Sequence, residues 1–407
     1  MKKLAIVSSY KELCGIASYT AILEKEFKKY FEVEVIKLDT EILKSNKENL
    51  VKMGNKHINE IAEKIKEYDY VNIQFEASLF GSDFKLISRR VSKIIKNSKN
   101  LIFTFHSINL NDIKLNKKKL LTRQIFNEIS IFKNQKKVKQ LYHSIINQIS
   151  SENKQENRKL SIMVHTEDSR KEIQKTFEFN NVYDFPLSML SKEERDIKIT
   201  EENKLKFKEK YGYKKNDIIL GIFGFVSMYK GHLAAINALE LLPKNYKLLI
   251  LGSQHPHTIQ ENIQINSYLN KLLEKINKSK SLGETNNEKM ERLKFAGGIN
   301  DEEYMEAMRC SDFILLPYVE VGQMASAVAA QVLESKSKGI FSNNKTFFEL
   351  EKYFPNSFEK IDIRNYYELA EKILNNKKDY NDELEKNLKK YNLENNILNY
   401  KRIFELE

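Results

Sequence analysis

Short apolar runs recur along this chain, separated by longer polar stretches with helical spacing. Leu4 to Ser8 is the first run, and a loop over 11–15 leads from it into a helix predicted from about Ile16 to Tyr30. Val33 to Leu38, Val71 to Phe75, Leu101 to Phe105 and Ser161 to His165 continue the series. A second series follows: Ile218 to Phe225, Tyr246 to Leu251, Lys294 to Ala296 and Phe313 to Leu316. Runs of four to eight apolar residues spaced by helical periods predict buried strands in parallel sheets, an α/β fold of the doubly wound kind. The polar, lysine-rich stretch from Ser191 to Lys215 divides the two series, so two Rossmann-like halves are expected, 1–190 and 191–378. A last helix is expected over 379–407, with Leu384, Leu388, Tyr391 and Leu393 near helical spacing.

At 407 residues the chain has room for two such cores. Its two cysteines, Cys14 and Cys310, lie far apart and suggest neither a disulfide framework nor a zinc site. The amino-terminal apolar run is too short for a signal peptide, and no run approaches the roughly 20 residues of a membrane helix. A cytoplasmic protein is expected. Charge is uneven: Asn111 to Leu160 holds ten lysines and two arginines against four acids, +8 of the chain's formal +12. Within that segment Val138, Leu141, Tyr142, Ile145 and Ile149 share one helical face. Two readings stay open. The segment is either a solvated pair of helices packed on its domain or a basic platform for an anionic surface, such as a bilayer or a lipid-diphosphate acceptor. On the second reading the protein sits peripherally at the inner face of the membrane. No nucleic-acid motif accompanies the charge, so nucleic acid is not an expected partner.

The chemistry-bearing residues gather where apolar runs end. In open α/β sheets, ligands bind beyond the carboxyl ends of strands, beside helix N-termini. Phe223-Gly-Phe-Val-Ser-Met-Tyr-Lys-Gly-His232 ends a strand at Gly224 and opens a helix just after Lys230 and Gly231. An amine at that place suits a phosphate. Phe295-Ala-Gly-Gly-Ile299 puts Gly298 and Ile299 at another strand end. Phe313 to Tyr318 leads to Glu320 and then Gln323, Met324, Ala325 and Ser326, where small residues leave backbone amides open. In the first half, Gly15 and Ile16 follow the opening strand. Gln74 and Glu76 follow Val71-Asn-Ile, and His106 closes Thr104-Phe-His. Phosphate-loop, nucleophile-elbow, zinc-helix and Gly-x-Gly-x-x-Gly signatures are absent. His255-Pro-His257 alone makes a poor metal site.

These motifs resemble the retaining enzymes of glycosyltransferase family four, whose GT-B fold sets two Rossmann-like domains about a cleft. The resemblance implies a sugar moved from a nucleotide-diphospho-sugar to a hydroxyl of a glycan or lipid-linked acceptor, with retention and with neither metal nor cofactor. Bacterial surface glycan assembly is the implied setting. It assigns Glu320 and His106 to the sugar at the catalytic centre. Gly15, Ile16, Gly224, Lys230, Gly298, Ile299 and Gln323 to Ser326 fall to the donor, Gln74 and Glu76 to the acceptor side, and the C-terminal helix to packing on the first domain. Two positions depart from the pattern. Phe225 stands where the family carries an arginine beside the diphosphate, and Val328 stands where a second glutamate holds the ribose. The alternatives are a GT-B nucleotide-sugar epimerase and a non-catalytic partner subunit.

Overall fold

A computed structural model of the chain describes residues 1–108, 110, 125–155, 157–254, 266–320, 324–376 and 380–405, apart from the side chains of 125–131 and 381. It divides into two compact units, Met1–Pro186 with Glu394–Glu407, and Leu187–Leu393.

The first unit holds a six-stranded sheet built of β1 (Lys3–Ser8), β2 (Glu32–Lys37), β3 (Tyr70–Phe75), β4 (Asn100–Phe105), β5 (Lys159–Val164) and β6 (Val182–Asp184). The order is β2-β1-β3-β4-β5-β6, with every pairing parallel. The strand order therefore reverses between β1 and β3, the switch point where such sheets open a crevice for ligands. β3, β4 and β5 are buried nearly throughout, as central parallel strands covered on both faces must be. The helix Leu393–Glu405 closes this unit by inserting Tyr400 and Phe404, the latter stacked on Tyr70 at 4.8 Å between ring centroids.

The second unit repeats the plan with β7 (Ile218–Phe223), β8 (Tyr246–Leu251), β9 (Leu293–Gly297), β10 (Phe313–Leu316), β11 (Gly339–Ser342) and β12 (Glu359–Ile361). Its order is β12-β11-β10-β7-β8-β9, again all parallel, with the switch point between β7 and β10. The period-two alternation of the strands sorts side chains to two layers. Leu220, Ile222, Leu248 and Ile250 join one core, while Ile219, Phe223, Leu249 and Leu251 join the other.

Two expectations about the tail and boundaries change. The segment predicted as one helix over 379–407 forms two, Asn381–Lys390 and Leu393–Glu405, parted near Tyr391 and Asn392. Leu384 and Leu388 of the earlier helix belong to the core of the second unit, so the chain returns to the first unit at 394 rather than 379. The earlier boundary falls at 186/187 rather than 190/191. Buried Glu334 accounts for that shift, because its Oε2 accepts from the amides of Met189 (2.8 Å) and Leu190 (2.9 Å) and ties them to the second unit. The helix Ile125–Glu152 buries Leu141, Tyr142, Ile145 and Ile149, so these apolar side chains pack inside the first unit. Lys133, Lys136 and Lys137 of the same helix are exposed. The lysines at 117–119 lie outside the described residues.

Candidate functional site

The second unit gathers its chemistry at the switch point between β7 and β10. After β7 the chain turns at Gly224, passes a short 3-10 turn at Met228–Lys230 and enters the helix His232–Leu241 through Gly231. Gly231 sits in the left-handed region (φ 74°), and a Cβ there would lie 2.0 Å from the Pro317 carbonyl oxygen. Only glycine lets the turn after β7 lie against the end of β10.

That approach creates an unusual setting for Lys230. Its side chain is 5% exposed, and Nζ donates to the Phe223 carbonyl (3.0 Å) and the Tyr318 hydroxyl (2.9 Å). The ammonium also lies 4.8 Å from the Tyr318 ring centre and 5.4 Å from that of Tyr229. A Cβ on Gly224 would come within 2.9 Å of Nζ, so the glycine is what gives the ammonium its place. Among the described residues no carboxylate pairs with Lys230. Burial accordingly pushes its pKa below the ordinary lysine value, with Tyr229 pulling partly back. Tyr318 is fully enclosed, bonds Ser326, and is pushed upward by burial. Ser326 in turn caps the helix Ala327–Glu334 by accepting from the Ala329 amide. One network thus runs from Ser326 through Tyr318 to Lys230.

Glu320 is exposed, and its Oε2 accepts from the Lys345 amide at 2.8 Å, the first amide of the helix Lys345–Tyr353. A carboxylate is favoured there by the helix dipole. Met324 is buried and Ala325 partly so. Gln323 lies outside the described residues. Gly298 is exposed beyond β9, where the nearest atom to an added Cβ is Ser253 Oγ at 3.9 Å, and Ile299 packs on the core beside it. Val328 lies close to Gly224, with its Cγ2 3.8 Å from a Cβ built there. The strand ends thus bring Gly224, Lys230, Ser326 and Val328 together.

In the first unit the helix Gly15–Phe27 opens after β1 without a side-chain cap from Cys14, and nothing lies within 4 Å of a Cβ on Gly15. Ile16 is half-buried there. Its Thr20 fixes the helix to the strand end, bonding Ser8 Oγ at 2.7 Å and the Ile16 carbonyl at 2.8 Å. His106 is half-buried at the end of β4, with Nε2 2.7 Å from Gln74 Oε1 and Nδ1 3.3 Å from His165 Nε2. The Tyr19 ring meets His106 edge-on at 5.7 Å. Gln74 has no exposed surface and contacts the His106 ring. Glu76 accepts from Ser107 Oγ at 2.6 Å, and Ser107 also bonds the Tyr142 hydroxyl at 3.1 Å. Burial raises the Glu76 carboxyl above the usual range and pushes Tyr142 up to about 12. A carboxyl so placed is suited to exchanging a proton with a hydroxyl.

Sequence reasoning missed Tyr318 and His165 as site residues. The first was visible only as the Pro-Tyr close of a strand, and the second only as a strand terminus. No group of three or more metal-binding side chains occurs among the described residues, and His255 and His257 lie outside them. Among the described residues no helix is long and apolar enough to cross a membrane.

No family model matches the chain, and no curated protein sequence matches it. Solved structures do. Sucrose-phosphate synthase from Thermosynechococcus elongatus superposes with a TM-score of 0.66 at 12% identity, covering 99% of this chain and 98% of that one. HepE from Anabaena, solved in complex with UDP-glucose, gives 0.63 at 13% identity over 98% and 99%. WaaG, a glycosyltransferase involved in lipopolysaccharide biosynthesis, gives 0.60 at 13% identity over 99% and 100%. The chain has the GT-B fold of these proteins.

Proposed function

We propose that the chain is a glycosyltransferase that binds a nucleotide-diphospho-sugar in its second unit and passes the sugar to an acceptor hydroxyl with retention. The observation that carries this reading is Lys230, a buried cation that lacks a carboxylate partner among the described residues, at the switch point of a parallel sheet. An unpaired buried charge is costly, and an arriving diphosphate would offset that cost. The GT-B fold, which HepE shares while binding UDP-glucose, supports the same donor class. As the β-phosphate leaves, Lys230 and the amides around Ser326 stabilise its charge, a preorganised electrostatic role. Glu320 holds the hydroxyls of the sugar. On the first unit, His106 and Glu76 handle the sugar and acceptor, with Gln74 behind His106. The chemistry calls for no metal or cofactor. The acceptor is a bacterial surface glycan or its lipid-linked precursor.

Glu320→Gln keeps the shape of the side chain and removes its charge. It is expected to fold normally, to bind nucleoside diphosphate as before, and to turn over about a hundredfold more slowly, a loss of about 2.7 kcal/mol of transition-state stabilisation. Release of nucleoside diphosphate from nucleotide-sugars checks this. Equal rates in variant and wild type would remove Glu320 from the site. Donor binding with no release in any acceptor mixture would favour the non-catalytic subunit, to which Phe225 and Val328 also point.

The basic segment adds a second, separable reading, peripheral attachment to an anionic bilayer. Since Leu141, Tyr142, Ile145 and Ile149 of its helix are buried, the attachment proposed here rests on charge. Changing Lys133, Lys136 and Lys137 to glutamate should weaken sedimentation with phosphatidylglycerol vesicles and leave donor affinity unaltered. Wild type that stays in the supernatant at low salt ends this reading.

A further inference from the structure

Lys230 spends its protons inside the fold. Two of its N–H groups go to the Phe223 carbonyl (3.0 Å) and the Tyr318 hydroxyl (2.9 Å), and the third is in reach of the Tyr229 hydroxyl. Tyr318 carries the bond onward. Its oxygen accepts from the ammonium, which has no lone pair, so its own proton is left to donate. The side chain is 3% exposed, and an O–H unused at that depth is costly. Ser326 is the residue it bonds, so the proton goes to Ser326 Oγ. That oxygen also accepts from the Ala329 amide at 3.3 Å. A serine oxygen has two lone pairs, and both are now taken. Its own O–H is directed away from both partners and finds no acceptor among the described residues. The Tyr318 ring is held in place for this. Its backbone carbonyl accepts from Ser342 Oγ at 2.6 Å, and the ring meets Tyr229 and Phe347 at 5.3 and 5.2 Å between centroids.

We propose that Tyr318 is a positioning residue that relays the Lys230 charge to Ser326, making the Ser326 hydroxyl a one-way donor to a phosphate oxygen at the start of the helix Ala327–Glu334. Each donor in the relay faces outward from the ammonium, and bonds in such a chain strengthen one another. An ammonium 5% exposed thereby acts on a ligand that it does not itself touch. A ligand group with a proton to give would meet a donor here, so the place suits an oxygen that only accepts. The phosphate clause rests on the nucleotide-sugar reading, whereas the direction of the relay rests on the hydrogen bonds alone. Every residue of it belongs to the second unit. The titratable groups about Lys230 are Tyr229, Tyr318, Tyr304 and His232, with Asp301 beyond Tyr304. Of these, Tyr229 and Tyr318 bond the ammonium.

Two measurements test the relay on the full chain. Calorimetry with pyrophosphate and the nucleoside diphosphate of each common base reads its outer end. Tyr318→Phe keeps the ring and should weaken binding about tenfold, the share of one charge-assisted bond. Ser326→Ala should cost about as much in wild type and almost nothing in the Tyr318→Phe background, because the hydroxyl has already lost its direction. Ser326→Thr keeps both hydroxyl and helix cap and should bind as wild type does, which separates the relay from lost capping. Equal losses from Ser326→Ala in the two backgrounds, or Ser326→Thr binding as weakly as Ser326→Ala, overturn the relay. Titration of carbon-13 lysine by NMR in ligand-free protein reads the inner end. Tyr318→Phe should move the Lys230 midpoint to lower pH, since the charged form loses an acceptor. An unmoved midpoint overturns the Lys230–Tyr318 link. Failure of every one of these anions to bind overturns the phosphate clause together with the donor reading, and the ligand-free midpoint then decides the inner link independently.

Discussion

Lys230→Met is expected to weaken nucleoside diphosphate binding by about a hundredfold while leaving the unliganded protein as stable as wild type or more so. The two effects share one cause. An ammonium 5% exposed and, among the described residues, without a carboxylate partner costs the empty fold, whereas on the proposed reading the same ammonium would meet the charge of a docked diphosphate. A hydrogen bond to a charged group contributes about 1.5–3 kcal/mol, which sets the expected loss. Methionine is of similar length and carries no charge. Binding of the bare nucleoside should hardly change.

The sign with pH follows from the lowered pKa of this base. Between the folded value and the ordinary 10.5 the unfolded chain binds more protons, so stability of the empty protein rises with pH across that window. Diphosphate affinity runs the other way. It is full below the folded pKa and falls as pH climbs through it, because the free site loses its charge. Calorimetry of wild type and Lys230→Met from neutral to alkaline pH checks both trends. A wild-type affinity that is flat across the window, or a variant that unfolds far below wild type, would show that Lys230 is a structural strut.

Gly231→Ala should give the largest loss of stability among single-methyl additions at this site. The new Cβ would stand 2.0 Å from the Pro317 carbonyl oxygen at a φ of 74°, so either the turn after β7 or the end of β10 must move. Backbone on backbone contact leaves no flexible side chain to yield. A cost of about 3 kcal/mol is expected, within the range for strain at special backbone positions. For a unit of this size that corresponds to a fall of about 6–12 °C in Tm. Because the move separates Lys230 from Tyr318, donor affinity should fall with it. Gly298→Ala serves as the control, since an added Cβ there meets nothing closer than 3.9 Å. Equal melting of the two variants would contradict the packing described.

The sheets were largely readable in the sequence because buried parallel strands are nearly continuous apolar runs, as in Leu4 to Val7 and Leu248 to Leu251. Val182–Asp184, Gly339–Ser342 and Glu359–Ile361 were not read, since three or four residues carry no period and two of these strands form sheet edges. The break at Tyr391 was hidden because Leu384, Leu388 and Leu393 keep near-helical spacing across it. At the site, Gly224, Lys230 and Gly231 were legible from the strand-loop-helix pattern. The burial of Lys230 was not, because it depends on Tyr318 some ninety residues later, brought beside β7 by the parallel pairing with β10. Gln74 and His165 illustrate the same limit. Their strands announce them, but only the lateral order β3-β4-β5 sets both against His106.

The central claim is that the buried cation of the second unit is built for a diphosphate carrying a nucleoside. Isothermal titration of the purified chain with a nucleoside, its monophosphate and its diphosphate, for each common base, tests it most directly. One base should show a single site, with the diphosphate bound at least about tenfold more tightly than the monophosphate and the nucleoside weakest. Each tenfold step corresponds to about 1.4 kcal/mol, well within what one charge-assisted contact supplies. Equal affinities across the three ligands, or no binding for any base, would contradict the account.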